Sequence, residues 1–235
     1  MSFLLSFRPD TGSAIPDSVV NQYPASTFSE STWEDDVGSA DMSVTGLTAS
    51  TFSNGEDSVF GNGTDVHGLA DTIELGTSLT YGLALTVQTT DAGVLLGEVE
   101  SNFNEFVQVR TNRNKPKLTW TWLEGGGGIT DVDTTTDVAD GTPHAVVINK
   151  TGDSASDIDM WVDDMADSDE EANVISSGSN NSSSYGGGRD MGFYGRNVAG
   201  SVDNLIAADV GIFEFNSEPY SESERQGILD RRPEV

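Results

Sequence analysis

Cysteine is absent from the 235 residues, and lysine occurs only at positions 115, 117 and 150. The first absence excludes a disulfide framework and thiolate chemistry. Cations as a class are scarce, with 11 Lys and Arg against 39 Asp and Glu for a net charge of −28. That balance leaves no basic stripe to neutralise nucleic-acid phosphates, and it opposes adsorption to an anionic membrane. Membrane insertion is not expected either, because no apolar run approaches the roughly 18 residues of a membrane span. The opening MSFLLSFRPD has a short apolar patch and no basic leader. It matches neither a Sec nor a twin-arginine signal. The expectation is a mature start, or a protein made and assembled inside a cell.

What is present argues for folding. Four Trp and ten Phe are too many for a chain kept disordered by its charge. The acids are 24 Asp against 15 Glu, short carboxylates that keep a surface hydrated. Self-repulsion costs little in molar salt, where the Debye length shrinks to roughly 3 Å. The composition therefore points to a halophile, a haloarchaeon or a virus that infects one.

Period-2 alternation dominates the chain. Leu83, Leu85 and Val87 share one strand face, as do Phe103, Val107 and Val109, and Leu118, Trp120 and Trp122. Val146 with Ile148, and Ile158 with Met160 and Val162, repeat the pattern. In GIFEF, Ile212 falls on one face and Phe213 and Phe215 on the other, which suits a strand covered on both sides or lying at a sheet corner. Turn signals at Asn54-Gly55, Asn62-Gly63, Asp140-Gly141 and Gly152-Asp153 separate these strands. Many short strands with little helix predict an all-β antiparallel sandwich or jelly roll. GGGG at 125–128 and SSGSNNSSSYGGG at 176–188 read as loops inside one domain spanning 1–235, with 1–50 as an N-terminal strand and extended segment. One short C-terminal helix is expected in PYSESERQGIL. Ser221 caps it, Glu224 reaches back, and Ile228 and Leu229 pack it down.

The order of elements resembles the laminin-G-like domains of the concanavalin A-like lectin/glucanase superfamily. DGTPHAVVINKTGD is similar to their turn and apolar strand, with Pro143 where a Trp is usual. DIDMWVDD looks like the next strand, with Asp164 in place of a Gly. MGFYGR resembles a short glycine-containing strand, and GSVDNLIAADVGIFEFNSEPYSESERQGIL the closing strand and helix. The resemblance covers most of residues 55–230. It implies a concanavalin A-like sandwich that binds glycans, binds proteins or acts as a spacer. It also implies that His144 packs at the sandwich edge, its ring bonded to backbone.

A glucanase of this superfamily would carry two glutamates and an aspartate alternating on one strand, for two carboxyls roughly 5–5.5 Å apart. Glu98 and Glu100 lack the intervening acid, and Asp131 and Asp133 alternate beside a glycine run that reads as a loop. No nucleophile elbow is present, so catalysis is not expected and a glycoside hydrolase is the lesser alternative. Calcium is the cofactor to consider, because laminin-G-like domains often hold one at a sandwich rim; Asp163 and Asp203 are the aspartates to examine first. Trp161 points away from Ile158, Met160 and Val162, on a face shared with Asp159 and Asp163. It is either an exposed aromatic for sugar stacking or protein contact, or it is covered, for instance by 176–188.

These readings combine into one expectation. The chain would be a non-catalytic structural and binding module on a virion, assembled in the host cytoplasm as a capsid turret, decoration or tail protein of a haloarchaeal virus. Its partners would be other virion proteins, copies of itself as a homo-oligomer, or a host surface glycan, and neither nucleic acid nor membrane. The alternative is a cell-surface or secreted carbohydrate-binding or adhesion domain.

Overall fold

The computed structural model describes residues 18–72, 75, 78, 80–99, 106–112, 115–124, 128–152, 154–165, 170–174, 190–198 and 201–230. The strands run β1 Val19–Pro24, β2 Thr32–Trp33, β3 Met42–Thr45, β4 Thr48–Thr51, β5 Asp57–Asn62, β6 His67–Ala70, β7 Tyr81–Gln88, β8 Val94–Val99 and β9 Phe106–Asn112. They continue as β10 Lys115–Glu124, β11 Gly128–Asp137, β12 His144–Lys150, β13 Ile158–Val162, β14 Glu170–Val174, β15 Met191–Phe193, β16 Arg196–Val198, β17 Ser201–Asp203 and β18 Ala207–Asn216. A single α-helix among the described residues, α1 Glu222–Leu229, follows.

Two sheets form. The smaller has the order β13-β12-β7-β18-β5-β4, with β1 also paired to β18. The larger has the order β14-β11-β10-β9-β8-β15-β6-β3-β2, with β16 joining β8 and β17. Among the described residues all pairings are antiparallel except the two-residue contact of β16 with β8. The expected all-β sandwich with one C-terminal helix is the fold observed.

Alternation explains which face each strand turns inward. Leu83, Leu85, Val87, Val107, Val109, Leu118, Trp120, Trp122, Val146, Ile148, Ile158, Met160 and Val162 all lie in the core between the sheets. Phe103 lies outside the described residues, as do 176–188 and 125–127 of the glycine run. The aromatic centre is built edge to face, with Phe193 and Phe213 at 4.9 Å and Trp33 and Phe213 at 5.9 Å between ring centroids. Trp120 Nε1 donates to the Tyr81 hydroxyl at 2.8 Å, so its one polar atom is satisfied inside the core. Pairing of β18 with β7 slips between Val210 and Ile212. Such a bulge bends the strand, and Phe213 and Phe215 stay buried while Ile212 is half-buried.

A second apolar cluster lies on the outer side of the smaller sheet. Val19, Ala84, Ala145, Val147 and Trp161 meet Tyr220, Ile228 and Leu229 there. The helix that supplies the last two begins as expected: the Ser221 N–H donates to Glu224 Oε2 at 2.6 Å.

Candidate functional site

β9, β10 and β11 place alternate residues on the outer face of the larger sheet. Register aligns them in two rows: Arg110 opposite Thr119 opposite Asp133, and Gln108 opposite Thr121 opposite Asp131. The rows are knit by short bonds. Thr119 Oγ1 donates to Asp133 Oδ1 at 2.6 Å, and Thr121 Oγ1 donates to Asp131 Oδ1 at 2.7 Å. Arg110 Nη2 reaches Asp131 Oδ2 only at 3.4 Å, a long contact that holds the guanidinium loosely. Two polar atoms remain buried without a partner, Gln108 Oε1 and Arg110 Nε. The Gln108 residue as a whole is 3% exposed.

The next strand packs closely against this lattice. Gly97 of β8 stands opposite Gln108. A Cβ at that glycine would come within 3.0 Å of Gln108 Cβ and 3.1 Å of Arg196 Cβ. Glycine suits this position because Gln108 and Arg196 already crowd the space a side chain would take. Arg196 Nε donates to Asp203 Oδ1 at 2.6 Å, so Asp203 stands at the rim of this face. At its other end Lys117 Nζ pairs with Asp137 Oδ1 at 3.0 Å. Gln108, Thr119, Thr121 and Asp133 are buried, while Arg110, Lys117, Asp137 and Asp203 keep accessible side chains that can hydrogen-bond a hydroxyl-rich ligand.

Asp131 and Asp133 are strand residues, not loop residues as their glycine-rich neighbourhood suggested. Cross-strand pairing to β10 and β14 overrides local composition there. Glu98 turns toward the core and is 2% exposed, and Glu100 lies outside the described residues.

The remaining sequence-derived residues are placed elsewhere. Asp163 adopts φ +67°, the left-handed region that aspartate tolerates better than most residues. Its Oδ1 accepts from the Ala145 N–H at 2.9 Å, and its Oδ2 faces His144 Nδ1 at 2.7 Å. Asp140 Oδ1 faces His144 Nε2 at 3.1 Å. The ring thus binds carboxylates rather than backbone, a correction to the expectation, because the two turns flanking β12 and β13 deliver an aspartate to each nitrogen. Burial pulls the His144 pKa down, but Asp163 and Asp140 outweigh it and hold the pKa above the usual histidine value. Asp163 and Asp203 lie on different sheets. Among the described residues no group of three or more His, Cys, Asp or Glu is placed to hold a metal ion. His67, half-buried on β6, has its pKa lowered by burial.

Trp161 does point away from the core, yet it is 7% exposed. The Arg225 guanidinium lies 4.1 Å above its ring, and Arg225 Nη1 donates to the Tyr220 carbonyl at 2.8 Å. Helix α1 therefore covers this tryptophan, and its ring offers no open face for stacking. The sequence identified the covered alternative but not the helix that does it. The lattice around Gln108 was missed altogether; its only linear trace is the polar alternation of QVR, TWT and DVD.

No family model matches the chain, and no curated protein matches it in sequence. Solved structures do match. A Trypanosoma rangeli sialidase in complex with 2-keto-3-deoxy-D-glycero-D-galacto-2,3-difluoro-nononic acid is similar at a TM-score of 0.62 and 15% identity, over 92% of this chain and 33% of that one. The same sialidase in complex with sialic acid gives 0.60 and 16%, over 93% and 34%. The receptor-binding domain of botulinum neurotoxin type G gives 0.59 and 11%, over 91% and 51%. What these proteins share with the chain is the sandwich. The chain spans about a third of the sialidase chains and about half of the toxin domain chain. The expectation of a non-catalytic module is corrected by this finding, since the similar structures include enzymes and the fold is not one set apart from catalysis.

Proposed function

We propose that the chain is a carbohydrate-recognition sandwich that binds a hydroxyl-rich glycan across β9, β10 and β11. The carrying observation is Arg110, whose side chain is 32% exposed and held, among the described residues, only by a 3.4 Å contact to Asp131 beside a row of bonded threonines and aspartates. A ligand hydroxyl accepting from this loosely held guanidinium would give it a shorter, stronger hydrogen bond than the 3.4 Å contact. The lattice is richer in acceptors than donors, and its aspartates disfavour an anionic ligand, so a neutral glycan fits best. The similar structures support carbohydrate recognition only in its coarse form: one is a sialidase in complex with sialic acid, an anionic sugar, and another a toxin's receptor-binding domain.

A glycan array in molar KCl tests this. Wild type should retain at least one neutral glycan, and Arg110→Ala should lose about tenfold or more in affinity with its melting temperature nearly unchanged. Retention of no glycan at any salt, or unchanged affinity in the variant, overturns the proposal.

A second reading, hydrolysis of the bound glycan, rests on Asp131 and Asp133. They share one face of β11 at alternate positions, and paired acids are what glycoside hydrolysis uses. Release of reducing sugar, abolished in Asp131→Asn, would establish it.

The acid excess supports a setting in molar salt, and a place on a virion or cell surface of a halophile suits a glycan-binding sandwich. Finding the chain in purified virus particles at fixed stoichiometry would establish the virion role. A calcium-dependent rise in melting temperature would give Asp163 or Asp203 the metal-binding part expected of them, at the expense of their bonds to His144 or Arg196.

A further inference from the structure

Asn62-Gly63-Thr64 and Asn149-Lys150-Thr151 both fit Asn-x-Ser/Thr, the acceptor sequence for N-linked glycans when x is not proline. Asn180-Asn181-Ser182 and Asn181-Ser182-Ser183 fit it too and lie outside the described residues. The fold separates the first two. Asn149 is 3% exposed on β12, a strand paired on both sides. Its Nδ2 donates to the Tyr220 carbonyl and its Oδ1 accepts from the Tyr220 N–H, both at 2.9 Å. A sugar on that nitrogen would break the pairing. Asn62 is the opposite case. It ends β5, and both it and Thr64 are exposed. Gly63 between them has φ +73°, a turn conformation that glycine adopts at little cost. The Thr64 N–H donates to Asn62 Oδ1 at 2.8 Å and fixes the amide at the turn.

A neighbouring residue also points to a sugar. Val59 lies in the core, and a Cβ at Gly61 would strike the Tyr194 ring. By alternation Ser58, Phe60 and Asn62 face outward. Phe60 is half-buried there and belongs to neither of the two apolar clusters among the described residues. Its cross-strand partners are Thr48 and Asp209. A phenylalanine on this polar outer face stands two positions before an acceptor asparagine, where the C–H face of an attached sugar can pack on its ring.

We propose that Asn62 is an N-glycosylation site and that Phe60 packs against the first sugar of the attached chain. The donor is an oligosaccharide on a polyprenyl phosphate, used by an oligosaccharyltransferase. Asn62 Nδ2 bonds to the anomeric carbon and gives up one proton. The bond from that carbon to the phosphate oxygen breaks, and the polyprenyl phosphate leaves with the electron pair. The site belongs to the smaller sheet, so it is separate from the glycan-binding face proposed on β9, β10 and β11.

The folded chain is incubated in molar salt with such a transferase and donor, in a reaction that also modifies a free peptide containing Asn-Gly-Thr. Peptide mass mapping should find the oligosaccharide on Asn62 and none on Asn149. Asn62→Gln and Thr64→Val should each abolish the increment, and Thr64→Ser should keep it. Glycan attachment should raise the melting temperature by about 2 °C in wild type and leave that of Phe60→Ala unchanged. An unmodified Asn62, or equal transfer to Asn149, overturns the site. An equal shift in both proteins overturns the contact with Phe60.

Discussion

His144 Nδ1 lies 2.7 Å from Asp163 Oδ2 and links the first residue of β12 to the residue after β13. The other ring nitrogen faces Asp140, so both nitrogens meet acceptors. Only the imidazolium can donate to both. The residue is 4% exposed, and the pair closes one end of the smaller sheet.

This arrangement makes stability depend on pH in a defined direction. The native pKa of His144 is raised above its ordinary 6.5. Its contribution is therefore fully present below 6.5 and is lost as pH rises through the native value. Asp140 acts at the other end. Burial pushes its pKa up, but bonds from Thr142 and His144 outweigh this and hold it below 3.8. Its contribution is present above 3.8 and disappears as pH falls through the native value. Melting temperature should pass through a maximum between these limits, and His144→Gln should flatten the alkaline side. An unchanged alkaline limb in His144→Gln would refute the assignment.

Trp161→Ala should unfold the protein more easily, at a cost of about 3–5 kcal/mol for a large aromatic removed from a packed site. Arg225→Ala should cost less, about 1 kcal/mol for the lost cation–π contact. Denaturant titration of both variants checks the order. Equal stability of Trp161→Ala and wild type would mean that α1 does not hold the ring.

Tyr220→Phe removes the hydroxyl that donates to Glu214 Oε1 at 2.9 Å. Glu214 is 1% exposed and also accepts from Gln22 Nε2. Loss of one donor to a buried carboxylate should cost about 1–3 kcal/mol. Calorimetry should show a lowered melting temperature with the sandwich otherwise intact.

Salt should stabilise the fold strongly. At −28 self-repulsion is long-ranged in dilute buffer and collapses as the Debye length falls from roughly 10 Å at 0.1 M to 3 Å at 1 M. Melting temperature measured from 0.1 to 3 M KCl should climb throughout that range. A flat or falling curve would remove the argument for a halophilic setting.

The inward face of each strand was legible in the sequence because an isolated strand already alternates. Leu118, Trp120 and Trp122 had to share a side whatever they paired with. The helix cap was equally local, since Ser221 and Glu224 are three residues apart. Trp161 was half legible: its direction follows from its neighbours, but its cover comes from α1, some sixty residues downstream. The Gln108 lattice was not legible. It exists only because β9, β10 and β11 pair in one register, and a slip of one residue would send every member to the other face.

By itself, then, the sequence determined the all-β class, the apolar face of each strand, the closing helix and an acid-coated exterior. These depend on spacings of a few residues and on composition. The tertiary structure alone decided which outward residues became neighbours. It set Gln108 against Gly97 and His144 between two aspartates. The reason is that pairing register and sheet order arise from contacts between segments far apart in the chain, and local spacing does not encode them.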